Sequence, residues 1–408
     1  MNWYFTAFGF LCLFFFDPSQ ESIDVFDRKL KMARNYSTDK TVRIFLCGDV
    51  MTGRGIDQIL PHPSNPQIYE SYMKDAIGYV AIAERANGPV PAPVSYDYIW
   101  GDASKVLDNY APDLRIINLE TSITTSDDYW KGKGINYRMH PQNIACLSAL
   151  KIDICVLANN HLLDWGYQGL EETLSTLNNA HLKTSGAGSN LFNAQKPAIM
   201  EVKNKGRVLV FSYGTPTSGI PLEWAATDER AGVNMLQKLN ESSIEKVKKQ
   251  IEQYRQPSDV IITSIHWGGN WGYDIPLEQS SFAHELIDKA GVDIIHGHSS
   301  HHSKGIEVYK QKLIIYGAGD FINDYEGISG HEQYRDDLAV MYLVKINPVD
   351  GRLVELELFP FEIRNFQLHK VSNIDLKWLR DQLDNQGRKL GTRVKLHPPN
   401  SLLLQWDL

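Results

Sequence analysis

The chain has 408 residues, of which 43% are hydrophobic and 22% charged, a balance that suits a soluble protein with a large core. Its formal net charge of −8 leaves no basic excess to neutralise phosphates, so broad electrostatic nucleic-acid binding is excluded and no nucleic-acid partner is expected. The four cysteines, Cys12, Cys47, Cys146 and Cys155, show neither C-x-x-C nor paired Cys/His spacing, which argues against a disulfide framework or a zinc ribbon.

In chain order, Trp3 to Phe16 is a nearly continuous apolar run, short for a bilayer span but of signal-core length. No Lys or Arg precedes it, and Asp17-Pro18-Ser19-Gln20 makes a poor cleavage site. We expect a cell-envelope protein anchored or exported through this segment, with a plain hydrophobic extension as the competing reading. Residues 1–40 are then a leader and linker. Val42 to Cys47 is a predicted strand ending in Gly48-Asp49. A Pro/Gly-rich stretch at 60–100, with a helical segment near Tyr69 to Arg85, reads as an insertion.

Further strands are predicted at Leu114 to Leu119, Ile152 to Leu157, Val208 to Ser212, Val260 to Ile265, Asp293 to Ile295 and Leu313 to Tyr316. Helices fall at Gly169 to Ala180 and Glu241 to Tyr254 by their apolar periodicity. Alternation of this kind implies an α/β fold over 41–346, with ligand-bearing loops at the carboxyl ends of the strands. From Leu338 the pattern turns β-rich, and 347–408 is expected to form a small C-terminal β/α extension packed on the main domain.

The polar punctuation falls where such a fold places a site. Gly48-Asp49, Asn118-Leu119-Glu120, Asn159-Asn160-His161, His266 and Gly297-His298 each close an apolar run. Four histidines, His296, His298, His301 and His302, then crowd into seven residues. Neutral imidazole is the commonest metal ligand, and carboxylates beside it suit a divalent ion. The ligand candidates are Asp49, Glu120, Asn160, His266, His298 and His301. Hydrolysis at such a centre also needs an acid for the leaving group, and a histidine beside a ligand, His161, suits that task. His296, inside the apolar run, reads as a core histidine with its hydrogen bonds satisfied.

Gly-Asp-Val-Met-Thr-Gly-Arg at 48–54, Asn-Leu-Glu at 118–120, Asn-Asn-His-Leu-Leu-Asp-Trp-Gly at 159–166, His-Trp-Gly at 266–268 and Gly-His-Ser-Ser-His at 297–301 resemble the CapA family. Gly305 to Tyr309 and Ile315 to Phe321 extend the likeness. These are capsule and poly-γ-glutamate biosynthesis proteins related to the calcineurin-like metallophosphoesterases. The resemblance implies a four-layer α-β-β-α sandwich holding one or two divalent ions (Mn, Fe or Zn). Glu120 would bridge, Asp49 and His301 would complete one metal site, and Asn160, His266 and His298 the other. His161 would be the acid, Asp164 its orienting partner and Arg54 a phosphate clamp; a surface ion pair is the competing reading for Arg54.

The implied activity is metal-dependent hydrolysis of an envelope polymer or phosphoester substrate. The alternative is a non-catalytic accessory subunit of a membrane-bound biosynthetic complex. Three departures bear on this choice. Met51 stands where metallophosphoesterases carry a histidine, His298 and His301 are spaced His-x-x-His, and Asp320 replaces a commoner Asn.

Overall fold

The computed structural model describes residues 40–407. Sixteen strands carry the architecture. Val42–Val50 (β1), Leu114–Leu119 (β2), Ile154–Val156 (β3) and Lys183–Ser185 (β4) form the parallel half of a ten-stranded sheet. The chain then builds a six-stranded sheet from Ala198–Val202 (β5), Gly206–Gly214 (β6), Val260–His266 (β7), Ile294–His298 (β8), Ile306–Tyr309 (β9) and Lys312–Ile315 (β10). It returns to the larger sheet through Asp320–Ile322 (β11), Leu338–Ile346 (β12), Leu353–Arg364 (β13), Gln367–Lys370 (β14), Thr392–His397 (β15) and Ser401–Trp406 (β16). The main strand orders are β15-β16-β13-β12-β1-β2-β3-β4 and β9-β10-β8-β7-β6-β5.

Alternation along the strands makes four layers. Ile44, Leu46, Ile116 and Ile154 of the larger sheet meet Val208, Val210, Ile262 and Ile294 of the smaller one in a shared core. The intervening residues point outward. Phe45, Ile117 and Cys155 pack under the helices Gly101–Tyr110 and Gly166–Asn179. Leu209, Phe211, Ile261 and Ile295 pack under Glu241–Tyr254 and Leu277–Glu285. Buried on both faces, these strands read as continuous apolar runs, which is why the sequence announces them. The result is the expected α-β-β-α sandwich.

Some elements differ from expectation. The helix foreseen near 69–85 forms over Ile77–Asn87, because a bridge between Gln67 and Asp75 ties up the residues before it. Residues 353–406 continue the larger sheet: β13 runs along β12 from Leu338↔Glu362 to Ile346↔Leu353, β16 pairs with β13, and β15 with β16. The cell-envelope placement is corrected. Trp3 to Phe16 lies outside the described residues, and among those described no helix is long and apolar enough to cross a membrane.

One irregularity positions the site. Phe45 and Cys47 face the helices, and so does Val50, so the alternation of β1 reverses between Cys47 and Asp49, where its register against β2 also shifts. Asp49 is thereby swung to the face between the sheets. Gly48 permits this: a Cβ there would lie 1.6 Å from the Gly319 carbonyl oxygen, and the Asp49 N–H donates to that oxygen at 2.9 Å.

Ile262 lies fully buried on a central strand of the smaller sheet. Ile262→Ala should lower unfolding stability by about 2–5 kcal/mol, read from urea denaturation, because two rigid sheets cannot collapse onto the void.

Candidate metal centre

The carboxyl ends of β1, β7 and β8 converge with β11 where the two sheets meet. Two groups of side chains there have ligand atoms all within 4.8 Å of one another: Asp49, His266 and His298; and Asp49, His301 and Asp320. Asp49 belongs to both. It is paired in register with Asp320, through the parallel contact of β1 and β11. His266 pairs with His298 in the same way across β7 and β8.

Four of the six ligand candidates read from the sequence, Asp49, His266, His298 and His301, fall within these groups. Glu120 and Asn160 sit beside them on the far side of one ring: His266 Nε2 is 2.8 Å from Asn160 Oδ1 and 3.4 Å from Glu120 Oε1. The resemblance assigns the bridging place to Glu120, whereas the carboxylate common to both groups is Asp49. Asn118 joins the two acids, donating from Nδ2 to Asp49 Oδ1 at 2.7 Å and to Glu120 Oε2.

The electrostatics fit a bound cation. Asp49 is 0% exposed, and its Oδ2 makes no hydrogen bond among the described residues. A buried unpaired carboxylate oxygen is costly unless a positive charge meets it. Burial first, and the Asp320 charge second, push the Asp49 carboxyl up to about 8. Glu120 is raised well above its ordinary value by burial and by Asp49. Burial holds His266 and His298 well below the ordinary imidazole value, so both are neutral donors of lone pairs. His266 Nδ1 lies 2.7 Å from His298 Nδ1, a contact that takes one proton between two neutral rings, and its Nε2 lies beside Asn160 and Glu120. His301 behaves oppositely: Asp320, 2.9 Å from its Nδ1, raises its affinity for a proton despite burial. Carboxylate oxygens with imidazole nitrogens are a donor set for Mn, Fe or Zn.

His161 lies next to this cluster. Asp164 Oδ2 is 2.6 Å from its Nδ1 and Tyr137 meets its ring edge-on at 4.5 Å. Lys133, which no sequence motif marks, places Nζ 3.0 Å from the same Nδ1 and 2.6 Å from Asp164 Oδ1. Burial and this ammonium lower His161 to about 4, against the opposing pull of Asp164. Asn159 ties the region together, donating to Asn118 Oδ1 at 3.0 Å and accepting from the His161 N–H at 3.1 Å.

Arg54 is 2% exposed and engaged throughout. Its guanidinium pairs with Asp324 and, at 3.0 Å, with Glu70, and it stacks between the rings of Tyr79 and Tyr137 at 3.9 and 4.3 Å. A phosphate clamp would have to break these pairs. Arg54 instead braces Tyr137, and through it His161. Met51 is fully buried, its Sδ 3.7 Å from the Tyr325 hydroxyl. Asp320 supplies the carboxylate that accompanies Asp49 on this side.

Because the Asp49 carboxyl has a folded value near 8 against an ordinary 3.8, its share of metal-free stability is complete below about 3.8 and is lost as pH rises through about 8. Cation binding runs the other way, since it must displace that proton. The affinity for Mn²⁺ should rise by about tenfold or more between pH 6 and 8, seen as a growing Mn²⁺-induced increase in Tm. Asp49→Asn should abolish that increase; a Tm shift that ignores pH contradicts the assignment.

Residues 43–325 match the family model described as bacterial capsule synthesis protein PGA_cap. A Mycobacterium tuberculosis relative called a "probable polyglutamine synthesis accessory protein" is 45% identical over 362 residues, spanning 88% of this chain and 95% of its own. The PGA biosynthesis protein CapA of Bacillus subtilis is 26% identical over 345 residues, spanning 84% of this chain and 76% of its own. A crystal structure of a Mycoplasma pneumoniae phosphatase aligns over 81% of this chain and 95% of that one, at 12% identity and a TM-score of 0.45. On the extent of the family-model match and of the 45% identical relative, the chain belongs to the PGA_cap family of bacterial capsule synthesis proteins.

Proposed function

We propose that this chain is a divalent-metal-dependent hydrolase that cleaves a phosphoester or related bond during synthesis of a capsule or poly-γ-glutamate polymer. The observation that carries the reading is Asp49, a buried carboxylate with one unpaired oxygen, shared between two groups of ligand side chains. The relatives named for polyglutamine synthesis and PGA biosynthesis support the polymer context. Bound there, a divalent ion would withdraw charge from the substrate oxygen and make a water nucleophilic near neutral pH.

The chain's own residues do the rest. Asp164 holds His161 by Nδ1, which leaves Nε2 to exchange a proton with a leaving oxygen. His161 is neutral near pH 7, because burial and Lys133 oppose its charge. An anionic substrate offsets Lys133 and favours the protonated ring, so the acid forms when the substrate is present. Tyr137, fixed by Arg54 on one side, limits how far the imidazole can turn.

A second reading, a non-catalytic accessory subunit of a polymer-synthesising complex, is favoured by Met51, a thioether where a further metal ligand would stand. His161→Gln separates the two. Under the hydrolase reading, Mn²⁺ binding is retained, turnover of phosphoester and amide substrates falls by about 10²–10⁴-fold, and polymer production fails in complemented cells. Unchanged polymer production with this variant would leave the accessory reading standing.

A further inference from the structure

His298 reaches the centre by a route that fixes which of its nitrogens carries the proton. Ser264, His296 and His298 all point between the two sheets, since β7 and β8 pair Ser264 with His296 and His266 with His298. Each is essentially unexposed within an otherwise apolar layer. Three hydrogen bonds run in series: Cys47 carbonyl oxygen to His296 Nε2 at 2.9 Å, His296 Nδ1 to Ser264 Oγ at 3.1 Å, and Ser264 Oγ to His298 Nε2 at 2.9 Å. The far end of the series is a backbone carbonyl, which can only accept. The register shift in β1 leaves Cys47 out of the ladder with β2, so its oxygen is free for this contact.

Direction then propagates along the series. The Cys47 carbonyl requires a proton on His296 Nε2. A buried imidazolium with no carboxylate beside it is unfavourable, so His296 Nδ1 is bare and accepts. Ser264 has one hydroxyl hydrogen for two imidazole neighbours and gives it to His296. Its oxygen is left to accept from His298 Nε2.

We infer that His296 is a positioning residue: through Ser264 it holds the proton of His298 on Nε2 and leaves Nδ1 bare, 3.8 Å from Asp49 Oδ1 and 2.7 Å from His266 Nδ1. Its purpose rests on the metal reading above, although the direction of the hydrogen bonds does not. The sequence suggests only a satisfied core histidine; the structure gives the satisfaction a consequence, because a metal ligand must present a lone pair.

The test begins with metal-free wild-type protein carrying ¹⁵N-histidine, whose long-range proton–nitrogen correlations report each tautomer. His298 should be protonated on Nε2. In His296→Phe the serine hydroxyl loses its acceptor and donates to His298 Nε2, which moves the ring proton to Nδ1. Mn²⁺ affinity by calorimetry should then fall about 10–100-fold. Ser264→Ala alone should weaken Mn²⁺ binding, yet added to His296→Phe it should restore part of the loss by removing the misdirected donor. A role in packing alone gives two losses that add. Additive losses, or Nδ1 protonation of His298 in the wild type, overturn the inference. If His296→Phe does not fold, the wild-type tautomer and Ser264→Ala still decide it. A wild-type protein with the expected tautomer that binds no Mn²⁺ defeats the metal reading and leaves the relay intact.

Discussion

Two acids side by side in a dry interior are the constraint around which this structure is organised. Asp49 and Asp320 occupy paired positions on β1 and β11, and both are almost completely withdrawn from solvent. Their mutual repulsion, added to desolvation, is unfavourable unless a cation or proton lies between them. Every neighbour can be read as part of the answer. Asn118 donates to one acid, Asn323 donates to the other at 2.8 Å, and His301 leans on Asp320 with its nitrogen. The site is therefore a place where burial makes acids keep protons that a cation would displace, and two neutral imidazoles on the opposing sheet supply the remaining lone pairs.

The sandwich makes this arrangement possible because each sheet contributes a different chemistry. The larger sheet delivers carboxylates from the ends of β1 and β11, and the smaller delivers histidines from β7 and β8. Neither sheet alone holds a complete set. The apolar core between them fixes the separation, so packing at Ile44, Ile262 and Ile294 governs how closely acid and imidazole approach. Stability and ligand geometry are coupled through the same layer of side chains.

Much of this could be read from the chain, and the reasons are physical. Strands buried on both faces appear as unbroken apolar runs, so β2, β7 and β8 and the polar residues closing them stand out. Asp49, His266 and His298 stand at that punctuation, and His301 in the histidine cluster that follows it. Lys133 stands at neither, because it lies in a loop without periodicity and reaches His161 only through the tertiary fold. Asp320 was visible only as an odd residue at its position; its meaning depends on β11 pairing with β1, a contact 271 positions apart in sequence numbering (320 − 49). The reversal of alternation at Gly48 is equally silent in the sequence, since any strand of that composition could run straight. For Arg54 the sequence leaves a phosphate clamp and an ion pair both open; the partners that the structure gives it, Glu70 from the inserted stretch and Asp324, are brought to it only by the tertiary fold.

The strand that bears Asp49 is flanked on its two edges by segments of different origin, beyond its short contact with β11. On one edge lies β2, inside the region that matches the family model; on the other lies β12, which begins after that region ends at residue 325. Cutting the chain at the limit of the recognisable motif would strip β1 of the partner running from Val42↔Ile346 to Leu46↔Tyr342, and expose the inter-sheet core along that side. The cooperative unit is thus longer than the signature, and the tail of this polypeptide is structural wall for a chamber whose furniture was all placed earlier.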